Sequence, residues 1–446
     1  MELSRHADSV ESLLKGKELD GYEIAVQQSR DLSVEAKGGK LDAFKCSEPL
    51  GLAIRVKCGD GLGFSFSTAL DPASLERMVE GALVAARSQT PDPCHGLPLP
   101  VAGYPELAGL WDEGLSFIPQ EKKIERALEL ERLTLAGDPR LKRVRKCSYS
   151  ESAQQSLIRN SHGLCAFYQS SYVSCSISVV AEQDGAAQMA WDFDFANRFS
   201  DLDLQVVAQR AGSKATSLLG ARTIATMRCP AVLDNHVASD LLEVLSASFL
   251  GDNVVKGKSL LRGRVGEQLF SGLITVRDNG ILPGGMGSAP CDGEGVPQQD
   301  TLLVSKGVLQ QFLYDSYWGR RMGQASTGNS TRGSIKMPPR LGAHNLFIET
   351  GPDSFQNLVK SVGKGILITD VMGIHTANPI SGDFSVGAAG FYLEGGEIVH
   401  PVKGIAIAGN LLELFGGVDM VADDLRFFGS VGSPALRVAE LDVSGS

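Results

Sequence analysis

From Arg228-Cys229-Pro230 onward the chain is cut by glycine at short intervals: Gly280, Gly284-Gly285, Gly287, Gly293, Gly295, Gly307, Gly387, Gly390 and Gly395-Gly396. Glycine weakens a helix interior and supplies the turns between short strands. Strand and turn at this density point to a large, mostly antiparallel β domain beginning near residue 227. The exception inside it is one amphipathic interval, about residues 237–249.

The first half reads differently. Residues 2–16 form an opening helix, and Tyr22-Glu23-Ile24-Ala25-Val26 starts a series of strands with alternating polarity. Segments 51–56 and 63–67 follow, joined through Cys58-Gly59-Asp60-Gly61, a hairpin signal. A helix over about 71–87 closes the pass, with Asp71 as N-cap and Pro72 in its first turn. The Pro- and Gly-rich stretch 90–118 is a connector. After a helix over 119–136 the pattern recurs: strands at 147–158, 165–169, 172–182 and 188–194, then a helix over 201–219. The fold class expected is α+β. Two N-terminal α/β lobes, 1–100 and 115–222, precede the larger β-rich C-terminal domain, 227–446.

The 446 residues are 43% hydrophobic and 21% charged, which suits a globular protein with real cores. No apolar run approaches the ~20 residues of a bilayer span, and the first residues lack the basic-then-apolar pattern of a signal peptide. A cytoplasmic protein without membrane contact is expected. A net charge of -10 repels a phosphate backbone, so no nucleic-acid partner is expected. The compact basic cluster of Arg140, Lys142, Arg143, Arg145 and Lys146 reads as a solvated face. The eight cysteines contain no C-x-x-C pair and read as free thiols.

On a helical wheel, Val237, Leu241, Val244, Leu245 and Phe249 share one apolar face of the 237–249 helix, with Glu243 and Ala247 on the other side. Beyond it stand Gly251-Asp252 and Gly263-Arg264-Val265-Gly266-Glu267, then the run from Cys291-Asp292-Gly293-Glu294 to Asp300. Ser326-Thr327-Gly328-Asn329, Gly373-Ile374-His375-Thr376-Ala377-Asn378-Pro379, Ser381-Gly382-Asp383-Phe384-Ser385 and Pro401-Val402-Lys403-Gly404 follow. In this order and spacing, over essentially the whole length, the chain resembles the TldD/PmbA family, and within it the PmbA (TldE) branch.

The resemblance implies a zinc-peptidase framework. Its TldD branch carries His-Glu-x-x-x-His on this helix and a cysteine near the C-terminus. Here the histidine positions are Leu242 and Ala247, and the 424–436 loop has no cysteine. Glu243 alone aligns with the family's glutamate, and without an ion it has no water to activate. The implied role is that of the subunit without metal ligands. A TldD-like homologous subunit would be its partner and hold the zinc, and a peptide would be the substrate. The family's roles are maturation of a peptide antibiotic precursor and removal of an antitoxin, with an older label of DNA gyrase modulation. A homodimer is expected for the isolated chain. The alternative is a homodimeric peptide- or protein-binding module of gyrase-modulator type with no catalytic role.

No catalytic residue and no metal or other cofactor is expected in this chain. Cys291, Asp292, Glu294, Asn329, Arg332, His375, Asn378 and Asp383 are the candidate binding or interface residues. A reactive Cys291 would need a nearby base or a positive field, and a structural thiol is the plainer reading. Arg332 in the 326–333 loop could meet a carboxylate. The turn groups at 375–383 could equally bond their own backbone. His344, His375 and His400 lie in the β domain without ligand spacing.

Overall fold

The computed structural model describes residues 2–445. Helix α1 (Glu2–Leu14) leads into β1 (Gly21–Lys37), β2 (Lys40–Ser47), β3 (Leu50–Cys58) and β4 (Gly61–Ser67), closed by α2 (Pro72–Ser88). Asp71 caps α2, its side chain accepting from Ser74 N at 3.0 Å, with Pro72 in the first turn as the sequence implies. After the connector, α3 (Gln120–Gly137), β5 (Leu141–Asn160), β6 (Cys165–Gln183), β7 (Ala186–Ala196) and α4 (Leu204–Ser217) make the second pass. The two passes are not separate sheets. β1 pairs along its length with β5, joining them into one seven-stranded antiparallel sheet of order β4-β3-β1-β5-β6-β7, with β2 paired to the far half of β1.

Two expected strands, 165–169 and 172–182, are a single strand, β6. The polar run Gln169-Ser170-Ser171 looks like a turn, yet it continues the ladder opposite Gln155, Gln154 and Ala153. The basic cluster lies at the exposed start of β5, where Arg140 pairs with Asp138 and Arg143 with Glu182.

Alternation along β1 sorts its side chains. Ile24 and Val26 enter the core under α1 and α2, and Leu32, Val34 and Ala36 enter the core under α3 and α4. All five occupy even positions and so share one face of the strand. Odd positions such as Glu23 point to the opposite face, where the sheet meets the C-terminal domain.

That domain starts with β8 (Met227–Leu233) and α5 (Asn235–Ser246), then α6 (Gly251–Val255), β9 (Val276–Asn279), β10 (Asp300–Ser305), β11 (Val308–Leu309) and α7 (Ser316–Met322). It continues through β12 (Ser330–Thr331), β13 (Arg340–Leu341), β14 (Leu346–Ile348), β15 (Lys364–Met372), β16 (Asp383–Glu394) and β17 (Glu397–Asn410). β18 (Val418–Val421), β19 (Arg426–Phe428), β20 (Val431–Ser433) and β21 (Leu436–Ser444) end it. One six-stranded sheet runs β11-β10-β9-β14-β20-β19 and the other β17-β16-β15-β8-β21-β18. In the second, β17 also pairs with β21, closing five strands into a ring. Pairing is antiparallel except for β8–β15 and β14–β20. α5 packs between the sheets, and its Val237, Ala238, Leu241, Leu242 and Leu245 belong to one core with strands of both. Among the described residues no helix is long and apolar enough to cross a membrane.

Candidate functional site

Two places collect chemistry-bearing residues: the helix α5 and a buried ionic group between the N-terminal sheet and the C-terminal domain. α5 starts where β8 ends. Asp234 caps it, its carboxylate accepting from Val237 N at 2.8 Å. The helix ends at Ser246 and tightens into a 3₁₀ turn over Ala247–Phe249, so the interval read as one helix is a helix and a turn. Leu242 is 1% exposed and part of the core, while Glu243 is exposed. The β19–β20 hairpin packs against α5, so the 424–436 segment does stand beside the helix, and it presents Phe428-Gly429-Ser430. Leu242, held in hydrocarbon, and the Ala247 methyl carry no donor atom, so these two side chains cannot ligate zinc. Among the described residues, no three His, Cys, Asp or Glu side chains are grouped so as to hold a metal ion.

The first two turns of α5 carry a half-buried titratable cluster. His236 lies between Trp191 of β7 (ring centroids 5.3 Å) and Phe428 of the hairpin (4.7 Å). Burial, followed by the charges of Lys214 and Arg426, pulls its imidazole down to about 4. Burial also pushes Asp234 and Asp240 up to about 7, with Asp370 adding to both and Glu243 to Asp240. His236 Nε2 and Asp240 Oδ2 are 3.8 Å apart, but both groups are driven toward neutrality, so this contact is no firm ion pair. Asp192 of β7, 1% exposed, takes Arg426 at 2.7 Å and Lys214 at 3.2 Å, tying the hairpin to α4.

The buried group joins residues far apart in sequence. Glu23 of β1 and Arg55 of β3 are direct cross-strand neighbours. Arg55 Nε donates to Glu23 at 3.1 Å, and its Nη1 donates to Glu294 at 2.7 Å. Arg332 Nη2 donates to Glu23 at 2.6 Å and to Gly293 O at 2.9 Å. Glu294 also accepts from Ser316 N at 3.1 Å. Burial alone would push Glu294 up, but Arg55 and the Ser316 amide outweigh it and hold the carboxyl below its ordinary value. Asp292 goes the other way: burial and the neighbouring Glu294 raise it well above the carboxylate range, although it accepts from the amides of Glu294, Val296 and Ser330. For Arg332, burial and Arg55 outweigh Glu23 and lower its pKa.

This group is a wall between two clefts. One, about 860 Å³, is bordered by Arg55, Glu294, Asp315, Tyr317 and Trp318. The other, about 440 Å³, is bordered by Tyr168, Cys291, Asp292, Ser330, Arg332 and His344.

Five of the candidates from sequence therefore converge or lie next to one another: Cys291, Asp292, Glu294, Asn329 and Arg332. Cys291 is 1% exposed, and burial, with Asp292 beside it, pushes its thiol far up, which is the opposite of an activated nucleophile. Asn329 is a brace. Its Nδ2 donates to Asp278 at 2.6 Å, Asp278 accepts His344 N at 2.8 Å, and His344 Nε2 meets Gly328 O at 2.7 Å. His375, Asn378 and Asp383 are exposed and form a separate turn. There Asn378 Oδ1 accepts from Ile380 N and Ser381 N, and Asp383 accepts from Asn410 at 2.9 Å. His400 stacks on Tyr392, apart from this turn's hydrogen bonds. Sequence reasoning passed over Glu23, Arg55 and Asp192. The signal for the first two was present: a lone charge inside an otherwise apolar strand, as in Tyr22-Glu23-Ile24 and Ile54-Arg55-Val56.

The chain matches the models of the PmbA/TldA metallopeptidase domain 1 over residues 22–86, central domain over 113–219 and C-terminal domain over 226–445. It is 31% identical to the metalloprotease PmbA of Escherichia coli O157:H7 over 97% of this chain and 94% of that one. It is 28% identical to a metalloprotease TldD homologue of Haemophilus influenzae, over 97% and 95%. Its fold is similar to that of a Thermotoga maritima protein named as a candidate modulator of a DNA gyrase, with a TM-score of 0.91, 27% identity and coverage of 99% and 100%. TldE of Thermococcus kodakarensis shares the fold at a TM-score of 0.90, 24% identity and coverage of 98% and 100%. The chain belongs to the PmbA/TldD family of metalloproteases.

Proposed function

We propose that this chain is the PmbA/TldE-like subunit of a cytoplasmic two-subunit metalloprotease, in which a TldD-like homologue holds the zinc. One observation carries the reading: helix, glutamate and flanking hairpin are in place at α5, while Leu242 and Ala247 stand where donors are required. Similarity to relatives of both the PmbA and the TldD kind supports a partner of the same fold. In this arrangement the chain contributes cavity walls and peptide contacts, the partner's zinc supplies the activated water, and the substrates are unfolded peptides and peptide precursors undergoing maturation.

The test measures zinc content and hydrolysis of a casein-type substrate for the chain alone, for a TldD-like subunit from the same genome, and for their mixture. Zinc and activity are expected in the mixture and absent from this chain alone. Glu243→Gln in this chain should leave the mixture's turnover unchanged. Chelator-sensitive hydrolysis by the lone chain overturns the proposal. The Thermotoga relative's name favours a second reading, a homodimeric binding module of gyrase-modulator type. Pull-down recovery of the chain with itself or with gyrase, and with no TldD-like subunit, selects that reading.

A further inference from the structure

The side chains of β7 are sorted in the reverse of the usual order. Its even positions face the core under α3 and α4, where Ala190 and Ala196 pack. Two aspartates share that side: Asp192 meets Lys214 of α4 at 3.2 Å, and Asp194 meets Arg210 at 3.5 Å. The odd positions point away from the helices and carry Met189, Trp191, Phe193 and Phe195. Met189 is 60% exposed and Trp191 44% exposed, and the two phenylalanines are half-buried. An antiparallel sheet with one covered face ordinarily turns its apolar residues toward that cover. A row of large apolar side chains on the other face marks a contact surface.

The rings form a ladder. Trp191 and Phe193 stack with centroids 5.8 Å apart, and Phe193 and Phe195 at 6.4 Å. Tyr172 of β6 extends the row from Phe195 at 6.0 Å. At the other end Trp191 makes a T-shaped contact with His236 at 5.3 Å, so the row starts at the first turn of α5. Beside it run Ser174, Ser176 and Ser178 of β6, each directly opposite one ring. They add hydroxyls to this face and no charge.

Area and period choose the occupant. Five side chains of this kind, three of them half-buried, expose on the order of 400 Å², where a stable protein–protein interface takes ~800 Å² per partner. The row alone is too small to hold a second folded copy. A ladder carried on a strand has the period of an extended chain laid along it. Same-side side chains of such a chain recur every ~6.4–6.8 Å, and the rings here recur at 5.8 and 6.4 Å. The outer edge of β7 is not the seat, because Arg426 already donates to Phe193 O at 2.8 Å. We propose that the outward face of β7 docks an extended, uncharged peptide whose alternate apolar side chains lie against Met189 and the rings of Trp191, Phe193 and Phe195. The proposal rests on the reading that the chain contributes peptide contacts to a protease, and it names where unfolded substrate is held beside α5.

The test is calorimetric titration of the full chain with an N-acetylated, C-amidated heptapeptide, Ser-Leu-Ser-Phe-Ser-Leu-Ser, and with its permutation Ser-Leu-Phe-Ser-Ser-Leu-Ser. The permutation keeps composition and turns the aromatic ring to the opposite side of an extended chain. The alternating peptide should bind about fivefold more tightly, the worth of one aromatic contact. Trp191→Ala should weaken it about tenfold. Met189→Ser alters a side chain that is 60% exposed, so its unfolding midpoint should match the parent while affinity falls about threefold. If Trp191→Ala does not fold, Met189→Ser decides alone. The proposal is overturned by absence of saturable binding at millimolar concentration, by equal affinity for the two peptides, or by variants that bind like the parent. It is also overturned by a dimer in sedimentation that Met189→Ser dissociates, which would give this face to a second copy. Failure of the subunit reading shows elsewhere, as a mixture without zinc or hydrolysis, and leaves this titration of the lone chain interpretable.

Discussion

Asp234 caps α5 and Asp240 lies in its second turn, both with carboxyls raised to about 7, against about 3.9 in an unfolded chain. The folded state therefore holds protons that the unfolded state releases. The stability these groups contribute is fully present below about pH 4 and is lost as pH rises through 7. His236 works in the opposite sense. Its folded pKa of about 4, against about 6.5 unfolded, gives stability that is present above 6.5 and lost as pH falls through 4. Asp240→Asn isolates one contribution. It should stabilise the protein by about 2 kcal/mol at pH 8, after discounting for partial solvent access, and the gain should shrink toward zero near pH 4. Urea unfolding at several pH values reads this directly, and a pH-independent difference would contradict the assignment.

At the scale of elements, α5 is held in place by packing. Its apolar side chains, Leu242 among them, pack into a core shared by both C-terminal sheets, so burial fixes it whether or not a metal is bound. Leu242→His combined with Ala247→His should cost about 3 kcal/mol, because a polar ring replaces buried hydrocarbon. The double variant should still bind no stoichiometric zinc, because the β19–β20 hairpin offers Phe428-Gly429-Ser430 and no thiolate. Thermal unfolding and metal analysis of the variant check both halves. The helix was readable in sequence from its period, while its start at the Asp234 cap came from the structure. The closing 3₁₀ turn was not, since the contacts that tighten it come from other elements.

For the whole molecule, the ionic group of Glu23, Arg55, Glu294 and Arg332 joins the N-terminal sheet to the C-terminal domain across 239 residues of sequence. A buried ion pair adds little net stability, but removing one partner strands the other charge. Arg55→Met should destabilise by about 3–5 kcal/mol. Adding Glu294→Gln should recover at least about 1 kcal/mol of that loss, because the two share one bond. Denaturant unfolding of the four proteins in the cycle measures the coupling; additive effects would mean that the pair does not link the domains.

Local rules were enough for what the chain does locally. Asp71-Pro72 started a helix, alternation marked the strands, glycine spacing identified a β-rich second half, and Leu242 and Ala247 excluded donors at their own positions. These features depend on neighbours within a few residues, so sequence contains them. Tertiary structure alone decided that the two N-terminal passes share one sheet through β1 and β5. It also brought Glu294 and Arg332 onto Glu23 and Arg55 and left His375, Asn378 and Asp383 on a separate surface turn. The physical reason is that a buried charge requires a partner but does not specify which one. Only the approach of the domain to the odd-numbered face of β1 chose it.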